Sequence, residues 1–321
     1  MNDKDTVKLS DIPDRQLGAL LTGQGLSLEV GPFVTQVRIF FPNLRREFCD
    51  LYGGYPVHPN GAIANNHLRV YGRNFFRRYI RPQACVDTMM KDDFAPFPAD
   101  IGMVATEMGM NWQAAVGCKN LLLFHAGVVE KNGRVVIMPA ASGSGKSTLS
   151  AGLSFAGWRL FSDEFGLADI DTGEFVPYPR PVSLKNESIP VMKDWATPGT
   201  CFSPEYEGTP KGTICYMRPP EESIRRMYER AKAGAVILPR FRPGAKPEIR
   251  PITRSMAFFK IVMSSANYGD IGERSFRIMT DIADKAACCE IIYPNLEEGI
   301  KLVERFMSEN VDPAPEGSGY D

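Results

Sequence analysis

The sequence lacks the features that mark membrane and secreted proteins. No run approaches the roughly 18 uncharged apolar residues that can span a bilayer. The N-terminal stretch MNDKDTVKLSDIPDR is polar and carries both signs of charge, so it has no apolar core of the kind found in signal peptides. We therefore expect a cytoplasmic protein with no membrane partner.

Histidine is scarce, and no pair of cysteines has the C-x-x-C spacing. The chain has seven cysteines and three histidines. An odd number of widely spaced cysteines fits neither a disulfide framework nor a zinc site. We expect these cysteines to pack mostly as small apolar residues in a reducing compartment.

The chain has no excess of charge of either sign. Lys and Arg number 37 against 38 Asp and Glu in 321 residues, which does not supply the basic field that nonspecific nucleic-acid binding needs. A local cluster of arginines and aromatics could still stack on single strands or dock an acidic partner. We favour a solvated face whose aromatics point inward, and we predict no nucleic-acid partner. The cluster comprises Arg69, Tyr71, Arg73, Phe75, Phe76, Arg77, Arg78, Tyr79 and Arg81.

A break in hydrophobic periodicity predicts two domains. Residues 91–100, KDDFAPFPAD, carry two prolines and several acids. We predict a small α+β domain over 1–95, a catalytic domain over 99–310 and a disordered tail over 311–321. In the first domain we expect strands over 34–41 and 67–71 and a helix over 43–52. A helix over 101–116 opens the second.

Two apolar runs, 121–129 and 134–139, are joined by a short turn centred on Asn132 and Gly133. This pair is typical of a β-hairpin. A hairpin makes the two strands antiparallel neighbours, whereas a parallel crossover needs a dozen residues or more. The pattern predicts a sheet that is mixed or antiparallel.

Directly after the second run comes AASGSGKST, followed by the helix-like residues 149–156. A glycine-rich loop between a strand and a helix is typical of a nucleotide phosphate site, because its amides can turn onto phosphate oxygens. Lys146 would reach the β- and γ-phosphates, and Ser147 would bind Mg²⁺. Ala140 stands where the strict pattern has glycine. The predicted nucleotide-binding residues are Ala141, Ser142, Gly143, Ser144, Gly145, Lys146, Ser147 and Thr148.

Two adjacent acids end the next short strand, WRLFSDE, 17 and 18 residues after Lys146. We predict that Asp163 or Glu164 binds Mg²⁺ and that the other accepts a proton from an incoming hydroxyl. His125 lies in the apolar run LLLFHAG. A lone histidine there is more often a core residue than a catalyst, although Gly127 nearby indicates a close approach of backbone or ligand.

The order of these motifs resembles the catalytic core of the HPr kinase/phosphorylase family, and the likeness is greatest to HprK-related kinase A proteins. The matching motifs cover about residues 121–166. The resemblance implies a core similar to phosphoenolpyruvate carboxykinase and a homo-oligomer. It also implies that Lys146 binds phosphate, Ser147 and Asp163 bind magnesium, His125 is catalytic and Glu164 is the proton acceptor.

The Glu-x-Arg-Gly signature of that family has no counterpart here. The corresponding residues 177–185 read PYPRPVSLK. Guanidinium and ammonium groups elsewhere are candidates for binding phosphate or substrate charge. These weaker candidates are Arg180, Lys185, Arg218 and Arg240.

Taken together, the residues predict an α/β chain with an α+β N-terminal part and a P-loop kinase core. We expect an ATP- and Mg²⁺-dependent kinase that transfers the γ-phosphoryl group to a hydroxyl, with Ser or Thr of a small protein or peptide as the preferred acceptor. A small-molecule kinase with the same core and a nucleotide-controlled binding module are the alternatives.

Overall fold

The computed structural model describes residues 6–74, 80–90, 94–139 and 143–312. The chain is an α/β protein with mixed sheets, 36% helix and 33% strand, which confirms the predicted fold class. Three stretches lie outside the described residues: positions 75–79 of the arginine-rich cluster, 91–93 of the predicted domain boundary, and 313–321 of the tail predicted over 311–321. No helix of the described residues is long and apolar enough to cross a membrane.

The strands come in groups of one to four consecutive strands, with helices between the groups. The strands are β1 (Val7–Lys8), β2 (Leu26–Val30), β3 (Phe33–Ile39), β4 (Pro56–His58), β5 (Asn66–Gly72), β6 (Gln83–Asp87), β7 (Phe97–Pro98), β8 (Leu121–Lys131), β9 (Arg134–Pro139), β10 (Arg159–Ser162), β11 (Phe165–Asp169), β12 (Phe175–Val176), β13 (Val182–Lys185), β14 (Tyr206–Thr209), β15 (Gly212–Met217), β16 (Lys232–Phe241), β17 (Glu248–Pro251) and β18 (Ala287–Tyr293).

The helices are α1 (Asp14–Thr22), α2 (Pro42–Tyr52), α3 (Gly102–Gly117), α4 (Lys146–Phe155), α5 (Ser188–Trp195), α6 (Glu221–Arg225), α7 (Arg254–Ser264), α8 (Tyr268–Ile271), α9 (Glu273–Lys285) and α10 (Leu296–Asn310). Short 3₁₀ turns precede α1 and α3. Helices α2 and α3, predicted over 43–52 and 101–116, begin and end within one residue of the predicted bounds.

The first sheet has the strand order β1-β4-β2-β3-β5-β6-β7. Its strands pair antiparallel except β3 with β5, which are parallel. Helix α3 packs on this sheet so closely that a Cβ on Gly109 would lie 2.7 Å from Leu68 Cδ1 and 2.8 Å from Val86 Cγ1. Helix α3 therefore packs directly on strands β5 and β6 of the first sheet.

The second sheet has the order β12-β11-β8-β9-β16-β18-β17, with β10 also pairing with β8. Strands β8 and β9 form the predicted hairpin, and both turn residues, Asn132 and Gly133, have positive φ as a type I′ turn requires. Strands β9, β16 and β18 are parallel. The carboxyl ends of these three strands therefore meet at one edge of the sheet.

Helices cover both faces of the second sheet because its strands carry apolar residues on both sides. Along β9, Val136 and Met138 pack on the face covered by α4 and α10, while Val135 and Ile137 pack on the face covered by α7 and α9. A continuous apolar strand of this kind is typical of a sheet buried on two sides.

A third, small sheet of order β13-β15-β14 lies beside the second. Its outer strands both pair antiparallel with β15. Val182 and Leu184 of β13 belong to the same hydrophobic core as Leu149 and Leu153 of α4. This packing brings the small sheet next to the start of α4.

Candidate active site

The phosphate loop leads from β9 into α4 at the edge where the parallel strands end. Gly143 and Gly145 have φ of 85° and 88°, a left-handed conformation that glycine adopts at little cost. The Phe241 amide at the end of β16 donates to the Ser144 carbonyl at 3.2 Å. The predicted residues Ala141 and Ser142, with Ala140, lie outside the described residues.

Gly145 has no room for a side chain. A Cβ there would lie 2.5 Å from Tyr293 Oη and 3.0 Å from Phe241 Cβ. Gly145 is also the N-cap residue of α4, and no side chain caps this helix. The first amides of α4 are therefore available to an anion, as at other helix N-termini that bind phosphate.

Helix α4 begins at Lys146, three residues before the predicted start, because the loop turns directly into the helix. The Lys146 Nζ atom lies 3.1 Å from His125 Nε2 on β8. Gly127 on the same strand lets α4 approach, since a Cβ there would lie 3.0 Å from Lys146 Cγ and clash with Ser150 Oγ. Strand β8 thus brings His125 to the loop.

The two predicted acids lie in a turn between two strands that both pair with β8. Strand β10 ends at Ser162, whose Oγ accepts from the amides of Glu164 and Phe165 at 3.2 and 2.9 Å. This turn points Glu164 toward His125, with 3.6 Å between Oε1 and Nδ1. Lys146, His125 and Glu164 therefore form a continuous polar chain.

Asp163 points elsewhere. Its side chain is buried, and its Oδ2 accepts from the Ser183 amide of β13 at 3.1 Å. The two acids do not end the strand side by side as the sequence suggested, because the Ser162 turn separates their directions. Glu164, predicted as the base, lines the cavity described below, whereas Asp163, predicted as a magnesium ligand, lies behind it.

Burial and neighbouring charges shift the pKa values of Asp163 and Glu164 in opposite directions. Burial raises the pKa of Asp163 to about 6, and the charge of Glu164 adds to this shift. Burial also acts to raise the pKa of Glu164, but the positive charges around it outweigh burial and its pKa is lowered. Glu164 is therefore ionised near neutral pH.

Burial, followed by the charge of Lys146, lowers the pKa of His125. Burial likewise lowers the pKa of Lys146. A neutral His125 accepts a hydrogen bond from the Lys146 ammonium at Nε2, which leaves its proton on Nδ1, facing Glu164. An ammonium donor at Nε2 thus favours the imidazole tautomer with its proton on Nδ1.

These groups open into a cavity of about 490 Å³. Its lining includes Gly143, Gly145, Lys146, Ser147, Thr148, His125, Glu164 and Lys185 among the predicted site residues. The remaining wall is mostly apolar, with a second acid at Glu187. It is formed by Leu149, Val191, Phe241, Tyr293, Pro294 and Leu296, with Ser183, Ser188 and Asn295.

The structure places the weaker cation candidates at different depths. Arg180 is buried beneath the site and bonds to Asn111 Oδ1 of α3 at 2.5 Å. Arg218 lies outside the cavity because its Nε donates to the Leu51 carbonyl of α2 at 3.1 Å. Arg240 pairs with Glu290 at 3.3 Å and is also outside, so only Lys185 of the four lines the cavity.

The residues around the loop fit a nucleotide phosphate. Within the described part of the chain, two buried hydroxyls near the loop, Ser144 Oγ and Tyr293 Oη, have no hydrogen-bond partner. The uncapped start of α4 offers amides to the same volume. A ligand with several acceptor oxygens satisfies such donors.

The same site fits magnesium only together with phosphate. No group of three or more His, Cys, Asp or Glu side chains that could hold a metal exists among the residues described. Mg²⁺ typically takes one or two protein oxygens and completes its shell with phosphate and water. The Ser147 hydroxyl, in the lining, could supply one such oxygen, with phosphate and water completing the shell.

Sequence reasoning missed the residues that come from distant parts of the chain. Phe241 and Tyr293 end β16 and β18, and only the parallel pairing of these strands with β9 brings them to the loop. Glu187 lines the cavity from the connection between β13 of the small sheet and α5. No local pattern around these residues carries a signal of a site.

Comparison with known proteins does not place the chain in a family. Neither a family model nor a curated protein matches it. What the fold and the site define is an α/β protein with a glycine-rich loop, an uncapped helix start and a Lys–His–Glu chain around one cavity.

Proposed function

We propose that this protein is an ATP- and Mg²⁺-dependent kinase of the HPr kinase type, which transfers the γ-phosphoryl group to a hydroxyl of a small protein or peptide. The observation that carries the proposal is the chain of Lys146, His125 and Glu164 beside the loop, with distances of 3.1 and 3.6 Å. Phosphate binding alone does not require an ionised carboxylate oriented by a histidine.

The phosphate-binding part consists of Lys146 and the amides at the start of α4. The ammonium and these amides bind the terminal phosphate oxygens and stabilise the charge that develops during transfer. Bound Mg²⁺ would supply further neutralisation of phosphate charge, with the Ser147 hydroxyl as its protein oxygen. Tyr293 Oη and Ser144 Oγ are further donors next to the loop.

The acceptor part consists of Glu164 and His125. The acceptor oxygen forms a bond to the γ-phosphorus while the bond between this phosphorus and the β-γ bridging oxygen breaks, and ADP leaves. Glu164 takes the proton of the acceptor hydroxyl. His125 presents Nδ1 to the carboxylate at 3.6 Å and shares its other nitrogen with Lys146, so it acts as a positioning residue.

The motif order supports a polypeptide acceptor. His125, the loop and the two acids follow one another as in the HPr kinase/phosphorylase core, with a β-hairpin before the loop. Glutamate at position 164 keeps a carboxylate of similar basicity where that family has aspartate. The missing Glu-x-Arg-Gly signature leaves the acceptor and any reverse phosphorolysis to experiment.

The test compares wild type with Glu164→Gln. Both are incubated with ATP labelled in the γ-phosphate and a host lysate, and labelled products are identified. We expect a labelled polypeptide with wild type and a loss of about 10²-fold or more with Glu164→Gln, because general base catalysis contributes that much. Nucleotide affinity, measured by calorimetry, should remain within about threefold.

Glu248→Gln is the matched control, because Glu248 is exposed on β17 and pairs only with Arg250 in the described residues. It should label at the wild-type rate. A labelled metabolite without labelled polypeptide would show a small-molecule kinase. Nucleotide binding without any labelled product would show a binding module instead.

A further inference from the structure

The small sheet carries two lysines on neighbouring segments of its backbone. Lys185 ends β13, and Lys211 lies in the turn between β14 and β15. Asn186 follows Lys185 and ties its segment to β15. Its amide donates to the Thr213 carbonyl at 3.0 Å, and its Oδ1 accepts from the Thr213 amide at 3.0 Å. Gly212 has no room for a side chain beside Asn186.

This connection fixes the backbone of both lysines relative to the cavity. Asn186 adopts a φ of 48°, and its Nδ2 donates to the Lys211 carbonyl at 3.5 Å. The Lys185 amide donates to Ser188 Oγ at 2.7 Å, and Ser188 begins α5. Hydrogen bonds therefore hold the backbone at both Lys185 and Lys211.

Both lysines act on the site without a close anionic partner of their own. Lys185 lines the cavity. The positive charges of Lys185 and Lys211 each contribute to lowering the pKa of His125 and of Glu164. Among the described residues, neither ammonium lies within 4.0 Å of a carboxylate. The cavity lining also carries the acids Glu164 and Glu187, but two lysines without a carboxylate partner still favour an anionic group beside them.

The loop already provides for the nucleotide. Lys146 and the amides of α4 belong to the second sheet and its helix, whereas Lys185 and Lys211 come from the small sheet. We infer that Lys185 and Lys211 form a second anion-binding subsite, which takes a phosphate or carboxylate group carried by the acceptor beside its reacting hydroxyl. That this anion belongs to the acceptor rests on the proposed kinase function, whereas the anion subsite itself does not.

The probe is inorganic phosphate, titrated by calorimetry into protein alone and into protein saturated with Mg²⁺ and a non-hydrolysable ATP analogue. We expect the loaded wild type to bind phosphate. The double variant Lys185→Met and Lys211→Met should bind about tenfold more weakly or worse, as expected for lost charge-assisted hydrogen bonds. Succinate in place of phosphate distinguishes a carboxylate-bearing acceptor from a phosphate-bearing one.

Two further variants separate this subsite from the loop. Lys260→Met, an exposed lysine on α7, should leave phosphate affinity unchanged. Lys146→Met should weaken nucleotide binding about tenfold while phosphate affinity changes by less than about threefold. Loaded wild type that binds no phosphate, or a double variant that binds it as wild type does, would overturn the inference.

Failure of the kinase proposal gives a different result. If no variant binds the nucleotide, the proposed function is wrong, and the titration of free protein still decides the anion subsite. Phosphate affinity that depends on Lys185 and Lys211 then supports the subsite. Affinity that depends on Lys146 alone overturns it.

Discussion

Ionisation of the buried Asp163 carboxyl costs the protein folding free energy. Asp163 is a buried carboxyl whose pKa is raised from 3.8 to about 6. Its ionised form is disfavoured by burial and by Glu164, although the Ser183 amide and Arg180 partly compensate. Natural proteins tolerate such costs where function needs a particular group.

Asp163→Asn should stabilise the ligand-free protein at neutral and alkaline pH. A carboxyl with a raised folded pKa favours the folded state when protonated, so its cost is absent below the unfolded pKa of 3.8 and complete above about 6. The gain in unfolding free energy should therefore grow between these two values and reach about 3 kcal/mol. Urea denaturation at several pH values measures it.

Asp169→Asn is the control with the opposite sign. Burial acts to raise the pKa of Asp169, but the amides of Thr172 and Asp171 and the charge of Arg230 lower it overall. Its ionised form therefore stabilises the fold above the unfolded pKa, and the variant should lose stability there. A stability gain for Asp163→Asn that does not change with pH would contradict the assignment of its cost to ionisation.

Elements bring the site together where no short stretch of sequence can. The hairpin, the loop and α4 could be predicted because each has a local pattern: Asn132-Gly133, the glycines, and the apolar residues after Lys146. The position of Glu164 could be predicted only as one of two acids, since the Ser162 turn that separates them depends on a side-chain hydrogen bond. Phe241 and Tyr293 depend on parallel pairing over long separations.

Helix α3 also supports the site through a buried polar network. Arg180 lies 3.5 Å from Glu107 Oε2, and Tyr52 Oη donates to Glu107 Oε1 at 2.5 Å. Burial raises the pKa of Glu107, and the charge of Arg180 counteracts part of the shift. In the described structure Arg180 Nη1 has no hydrogen-bond partner, and the Arg180 charge acts on Asp163. The network thus links α2 and α3 to the acid behind the cavity.

Arg180→Met should destabilise the protein by about 3–5 kcal/mol, because it leaves the buried Glu107 without its cation. Adding Glu107→Gln should recover part of this loss, since the remaining side chain is then neutral. Urea denaturation of both single variants and the double variant gives the coupling free energy. Arg250→Met, which removes an exposed pair with Glu248, should cost less than about 1 kcal/mol. Equal losses for Arg180→Met and Arg250→Met would contradict the network.

At the scale of the whole molecule, residues of all three sheets meet in one hydrophobic core, beside two further cores on the faces of the second sheet. The core beneath the first sheet includes Leu121 and Leu123 of β8 and continues to Tyr178 and Ile224. Polar contacts cross at the same place, where Tyr206 Oη of the small sheet donates to Glu47 Oε2 of α2 at 2.7 Å. The composition break at 91–100 marks a change in hydrophobic periodicity along the chain. Periodicity cannot show that apolar residues before and after this break pack in the same core.

The fragment 99–310 should therefore be much less stable than the full chain. Removing residues 1–95 uncovers core side chains, and each costs about 1.5–3 kcal/mol when exposed, so a few of them equal the typical stability of a whole domain. We expect a thermal midpoint lower by about 10 °C or more, measured by circular dichroism.

A chain that ends at Asp312 is the matched control for this fragment. The buried hydrophobic residues of the described structure end at Met307, so the shortened chain loses none of them and should keep the full-length midpoint. The fragment and its control also test the site. Helix α3 contacts Arg180 through Asn111 and Glu107, and α3 itself packs on the first sheet, which the fragment lacks. Nucleotide affinity should fall with fragment 99–310 and remain with the control. A fragment that melts with the full chain and binds nucleotide equally would show two independent domains.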